Sequence, residues 1–230
     1  MRRVQLKANQ FDMEIMSKYL LRQKLKTILL FVIIYTVGVA GIGIPLTQRF
    51  FIILIPFALL LSFVAILLFH KSLHSGNTRF VFFTIILVSY LVEVVGVNSQ
   101  VIFGKYIYGH GLGLKVFGTP LMIGIYWAML VYCSASIMER FRMHAVFQVV
   151  FAALLIVSYD VVLEQVAPFL DMWYWSGDSV PLQNYLVWFV LALIFHAMVK
   201  WKKVKTANPL ASAIFVCQFL FFVAILIFVM

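Results

Sequence analysis

The 230-residue chain alternates seven long apolar runs with short polar breaks. The runs cover about 27–45, 50–70, 79–99, 118–138, 144–167, 184–200 and 208–230. A helix needs about 20 apolar residues to cross the hydrocarbon layer of a bilayer. A bilayer admits only helices or closed barrels, because every backbone polar group must be satisfied inside the structure. Alternating ten-residue segments of the barrel type are absent. The pattern therefore predicts an all-α, polytopic transmembrane bundle of about seven spans, in one domain over 27–230, behind a basic segment at 1–26.

Composition agrees. Hydrophobic residues make up 64% of the chain and charged residues 11%; a soluble domain has about half apolar and a quarter charged residues. This excludes an ordinary soluble enzyme, a disordered chain and a secreted disulfide scaffold. The net charge of +10 would suggest nucleic acid in a soluble protein, but here it orients the spans. With the N-terminus inside, 15 Lys and Arg fall on the inner side, and Arg49, Lys105 and Lys115 on the outer. The positive-inside rule then predicts N-in and C-out in a multi-pass membrane protein; the expected location is the inner membrane of a prokaryote, although composition does not choose between that and an organelle. Cys133 and Cys217 both lie within apolar runs, so neither a disulfide framework nor a metal site is expected. No cleavable signal is evident before the first span. The basic lead reads as a segment lying on anionic lipid, or as a docking helix.

Charged residues within a span are costly and mark function by default. Glu93 lies late in the third run. Asp160 and Glu164 lie late in the fifth, four residues apart and so on one helical face. In the predicted topology all three fall in the outer half of the bilayer. The outer loops beside them carry Tyr106, Tyr108, Trp173, Trp175, Asn184 and Trp188, and Trp127 lies in the outer half of the fourth run. Each has a plainer reading. Interfacial Trp and Tyr commonly form an aromatic belt, Asp160 and Glu164 could be water-exposed, and Glu93 could join two helices by a hydrogen bond. Gly109, Gly111 and Gly113 only superficially suggest a phosphate loop, and His110 stands without metal-binding companions. The last run contains no Lys, which excludes a Schiff-base retinal pigment.

Two strings of residues carry a resemblance. The first is Glu93-x-x-Gly96, Phe103-Gly104-x-Tyr106-x-Tyr108, Leu112-Gly113-x-Lys115, Gly118-x-Pro120-Leu121 and Trp127. The second is Asp160-x-x-x-Glu164, Trp173-x-Trp175, Val180-Pro181-x-x-Asn184 and Trp188. In order and spacing, over roughly residues 89–190, the chain resembles the membrane carotenoid-biosynthesis family that includes the carotenoid 1,2-hydratases and bisanhydrobacterioruberin hydratase. It departs from that pattern at Gln100, where a glycine is expected, at Glu164-Gln165 in place of Asp-Pro, and at Val187 in place of a small residue.

The resemblance implies a cofactor-independent hydro-lyase that adds water to the terminal isoprenoid double bond of an acyclic carotenoid. Protonating an unactivated alkene needs a strong donor, and a carboxyl in apolar surroundings holds its proton to higher pH. The tertiary cation formed can be stabilised by aromatic faces, by about 0.5–2 kcal/mol each. A carboxylate or amide then orients the water. On this reading Asp160 is the general acid and Glu93 or Glu164 orients the water. Tyr106, Tyr108, Trp127, Trp173, Trp175 and Trp188 line the substrate site, and Asn184 holds a carboxyl or the water. The carotenoid enters sideways from lipid, and other enzymes of the pathway are possible neighbours. Two alternatives stay open: a cyclase or isomerase working through the same cation, and a proton-coupled transporter using the carboxyls as a relay.

Overall fold

The computed structural model describes residues 2–70, 75–177 and 179–230, with side chains from Arg22 onward. The side chains of residues 1–21 of the basic lead, together with residues 71–74 and Asp178, lie outside the described residues. The seven predicted runs form seven helices: α1 (Arg2–Gly43), α2 (Pro45–Leu68), α3 (Gly76–Ser99), α4 (Met122–Met138), α5 (Ala145–Val166), α6 (Leu182–Trp201) and α7 (Pro209–Phe228). Between α3 and α4 lie three short strands, β1 (Tyr106–Tyr108), β2 (Lys115–Val116) and β3 (Thr119–Pro120). A fourth, β4 (Trp173–Trp175), lies between α5 and α6. Helix α1 runs unbroken through the predicted boundary at residue 26.

Six of the seven helices are long and apolar enough to cross a membrane, the first over Arg22–Gly43. The exception, α4, has 17 residues and reaches about 25 Å at 1.5 Å per residue. It starts later than the predicted 118 because Thr119–Pro120 pairs with Lys115–Val116 in a small hairpin. A proline can cap an edge strand but cannot donate within a helix. Thirteen residues of α4 are buried, so it is the central helix, apolar on every side because every side meets another helix. On α2 the inner stripe is Ile55, Leu59, Ser62, Phe63 and Ile66. Its other face exposes Phe50, Ile53, Phe57, Leu60, Leu61 and Val64, as a helix facing lipid does.

Helices α1 and α7 are parallel: Gly38 abuts Phe221, and Gly43 abuts Val229. At the opposite end Asn208 donates from Nδ2 to Ile66 O at 3.1 Å and accepts at its carbonyl from Ser136 Oγ at 2.9 Å, and Asn77 Nδ2 donates to Lys202 O at 3.2 Å. The chain therefore alternates ends through all seven helices. One end carries Arg79, Arg140, Arg142, Lys200, Lys202, Lys203 and Lys205, and the other carries the strands.

Helix α3 ends at Gln100, whose φ of 57° and ψ of 18° are left-handed and whose N–H bonds to Gly96 O at 2.8 Å. A residue with a Cβ pays about 1–2 kcal/mol for this conformation, which explains why a glycine is expected here. Gln100 is exposed, so its side chain adds little packing. Gln100→Gly is expected to stabilise the fold by about 0.5–1 kcal/mol after the greater freedom of unfolded glycine is deducted, read as a higher thermal unfolding midpoint in detergent. A lowered midpoint would refute this.

Candidate active site at the ribbon end

Glu93 lies on the inward stripe of α3 with Phe82, Ile85, Ser89 and Gly96, and Asp160 and Glu164 lie on the inward face of α5 with Ile156 and Leu163. Helical spacing at i, i+3, i+4 and i+7 puts each set on one side. All three carboxyls are buried near the end of the bundle that carries the strands.

The two loops above them zip together. Strand β1 pairs antiparallel with β4, setting Tyr106 opposite Trp175, Ile107 opposite Tyr174 and Tyr108 opposite Trp173. The pairing continues through Gly109 N–H to Met172 O at 2.9 Å, Gly111 N–H to Asp171 O at 2.6 Å and Ser176 N–H to Lys105 O at 2.9 Å. Strand side chains alternate between faces. Tyr106, Tyr108, Trp173 and Trp175 consequently point at the carboxyls, while Ile107 and Tyr174 face outward and are exposed. The two glycines have a structural purpose here. A Cβ on Gly109 would lie 2.3 Å from Asp171 O, and one on Gly111 would lie 2.2 Å from Leu170 O. They let two loops cross in contact and do not cradle a phosphate. His110 projects from the same crossing, exposed, with Nδ1 3.4 Å from Asp171 Oδ2.

The ribbon supplies the donors that the carboxyls need. Glu93 Oε2 accepts from Tyr106 OH at 2.7 Å and Tyr108 OH at 2.8 Å, and Oε1 accepts from Trp127 Nε1 at 3.4 Å. Glu164 Oε2 accepts from both Trp173 Nε1 and Trp175 Nε1 at 2.8 Å, and Oε1 accepts from Asn184 Nδ2 at 3.0 Å. The same Asn184 Nδ2 donates to Asp160 Oδ2 at 3.2 Å. Asp160 Oδ1 is buried and has no partner among the described residues. Burial first, and then the adjacent Glu93 charge, hold the Tyr106 and Tyr108 phenols well above their ordinary range, so both stay O–H donors.

Between Glu93 and Glu164 is a small space bounded also by Phe103, Ile123, Asn184, Trp188 and the four inward ribbon side chains. It has room for about one water molecule. Trp188 closes its floor and stacks on Trp127 with ring centres 4.3 Å apart and planes at 36°, an arrangement worth about 0.5–1.5 kcal/mol beyond area burial. The structure thus brings together all ten residues singled out from the sequence: Glu93, Tyr106, Tyr108, Trp127, Asp160, Glu164, Trp173, Trp175, Asn184 and Trp188. Asp160 is set behind the space, one amide away from it. The sequence reading overlooked Phe103 and Ile123 as walls, although Phe103 stands within the Phe103-Gly104-x-Tyr106 string.

It also overlooked a second polar chain nearer the middle of the bundle. Tyr126 OH and Tyr159 OH are 2.6 Å apart. Tyr159 OH donates to Gln218 Oε1 at 3.4 Å, and Gln218 Nε2 donates to Tyr35 OH at 2.7 Å. Tyr35 OH lies 2.8 Å from Ser62 Oγ. This chain ties α1, α2, α4, α5 and α7 together by satisfied hydrogen bonds inside an apolar environment.

No curated protein and no solved structure matches this chain. The family described as carotenoid biosynthesis protein does match, over residues 48–230, a stretch that contains α3 to α7, all of α2 but its first three residues, both ribbon strands and every carboxyl of the site. The protein belongs to the carotenoid biosynthesis protein family.

Proposed function

We propose that this membrane protein hydrates the terminal isoprenoid double bond of an acyclic carotenoid. The observation that carries the reading is the unequal supply of donors around a space the size of one water. Glu93 and Glu164 each accept three N–H or O–H donors and border the space, as acceptors that orient a water would. Asp160 accepts only the Asn184 amide and has one oxygen free. It is the group best arranged to carry a proton to give away.

In this mechanism the substrate end reaches Asp160 past the Asn184 amide, Asp160 delivers a proton to the CH carbon of the terminal double bond, and the positive charge appears on the neighbouring dimethyl-substituted carbon, which becomes a tertiary cation. Tyr106, Tyr108, Trp127, Trp173, Trp175 and Trp188 offer aromatic faces to that charge, each worth about 0.5–2 kcal/mol. The oxygen of a water held at Glu93 or Glu164 then bonds to the cation. The carboxylate takes the proton that the new oxonium loses, and the product is a tertiary alcohol. General acid and base action of this kind contributes about 10²–10⁴-fold per group. The substrate end enters sideways from lipid. Because the space fits only about one water, admitting an isoprene end requires its walls to part. The basic end of the bundle faces the cytoplasm in this reading, in a prokaryotic inner membrane, and the site opens toward the outer leaflet.

The test is mass spectrometry and chromatography of pigments from a lycopene-producing bacterial host expressing the chain. The expected product is heavier by one water with an unchanged chromophore. Unchanged mass with a shifted spectrum or retention would mean that the cation loses a proton instead, giving cyclisation or isomerisation. No new pigment despite confirmed membrane expression would overturn the reading for this substrate.

A further inference from the structure

We infer that water and protons reach the carboxyls through a groove at the ribbon end of the bundle, and that Trp175 and Glu164 form the movable wall between this groove and the small space. The inference deepens the hydration reading and rests on it, because hydration consumes one water in every turnover.

The groove has a volume of about 490 Å³ and is walled by Gln165, Pro168, Tyr174, Ser179 and Tyr185. Glu164 and Trp175 line both it and the small space, and no other described residue does. The other large cavities lie elsewhere. One of about 210 Å³ runs between α1, α2 and α7, one of about 420 Å³ between α1 and α7, and one of about 370 Å³ beside Met138 and Phe151; none touches Glu93, Asp160 or Glu164. Their walls are almost wholly apolar, and apolar cavities stay dry. The groove beside Glu164 presents an amide, two phenols and a hydroxyl, which give a water the two or more polar partners it needs.

The wall is built to yield. Trp175 is half-buried where Trp173 is buried. Both indoles donate to the same oxygen, Glu164 Oε2, at the same 2.8 Å. If Trp175 swings toward the groove, Trp173 still donates to that oxygen. The movement therefore avoids leaving a buried acceptor bare, which would cost about 1–3 kcal/mol. Trp175 also stacks on Tyr106 with centres 5.0 Å apart, so its displacement opens the space on the Glu93 side as well.

The test places Ser179→Cys on the exposed rim and modifies it with a bulky, charged methanethiosulfonate that a thiol reductant removes. Two readouts are followed in membranes. The first is labelling of each carboxyl by a water-soluble carbodiimide, located by peptide mass spectrometry. The second is formation of the carotenoid alcohol. The expected result is that Glu164 labels faster than Glu93 and Asp160, and that the adduct slows both Glu164 labelling and alcohol formation by about tenfold, ~1.4 kcal/mol of barrier. The reductant should restore both, which excludes misfolding as the cause. Four results would overturn the inference: an introduced thiol that does not react, unchanged Glu164 labelling on the adduct, unchanged alcohol formation on the adduct by an enzyme that hydrates, or Glu93 and Asp160 labelling as fast as Glu164. If the wild-type chain forms no alcohol yet the adduct shields Glu164, the groove stands as the aqueous route and the hydration reading falls.

Discussion

Asp160→Asn is expected to lower alcohol formation by about 10²–10⁴-fold while the protein accumulates in the membrane at the wild-type level. The substitution is nearly isosteric, and the amide can turn its carbonyl oxygen toward Asn184 Nδ2, keeping the 3.2 Å contact. What it removes is the transferable proton. Its new NH₂ group points to the place of Oδ1, which has no partner to lose, so the damage falls on chemistry more than on folding. Glu93→Gln makes a useful contrast. Its amide oxygen can still accept from Tyr106 and Tyr108, but its NH₂ then meets the N–H of Trp127, and it cannot take a proton from the attacking water. Product analysis separates the two roles. Loss of the acid slows the formation of every product alike, whereas loss of the water-orienting base leaves a cation free to shed a proton and shifts the remaining product from alcohol toward alkene. Full alcohol formation by Asp160→Asn would remove Asp160 from the mechanism.

Much of this arrangement can be read along the chain, and the reasons differ by element. The helices are legible because lipid on the outside forces long apolar runs. Glu93 and the Asp160–Glu164 pair are legible because a charge inside such a run is costly and marks function by default. The ribbon is only half legible. Tyr106-Ile107-Tyr108 and Trp173-Tyr174-Trp175 each display period two, but a three-residue strand is too short to declare a partner so far along the chain. That pairing is set by three-dimensional closeness of the α3 and α5 ends, which no local pattern encodes. The start of α4 was misplaced for a related reason. Residues 118–121 are apolar enough to extend the span, yet the backbone of Thr119–Pro120 is taken by β2. Gly109 and Gly111 were legible as special but not as to purpose, since the carbonyls they avoid come from the opposite loop. Which donor serves which carboxyl could not be read at all. It depends on indole and phenol directions fixed by the ribbon register, and it is this assignment that separates Asp160 from the two glutamates.

Asn184→Leu should have the second largest effect, on stability and on turnover together. One NH₂ group holds two carboxyls: Asn184 Nδ2 reaches Glu164 Oε1 at 3.0 Å and Asp160 Oδ2 at 3.2 Å. Glu164 has two indole donors besides, so it survives the loss. Asp160 has none, since Oδ1 is already without a partner. Leucine would leave both Asp160 oxygens buried and bare, at a cost of about 1–3 kcal/mol, more if the group is charged. The single variant should therefore unfold at a markedly lower temperature in detergent. A second change, Asp160→Leu in the Asn184→Leu background, removes the stranded carboxyl and should recover much of that stability, because replacing both partners by apolar groups of similar size is close to neutral. Activity should not recover with it, since the acid has gone. A double-mutant cycle on the thermal midpoints measures the coupling directly. Additive losses would show that Asn184 and Asp160 do not depend on each other. Recovery of stability in the double variant would make Asn184 a positioning residue, one whose amide keeps a proton-bearing carboxyl folded into an apolar bundle within reach of the site.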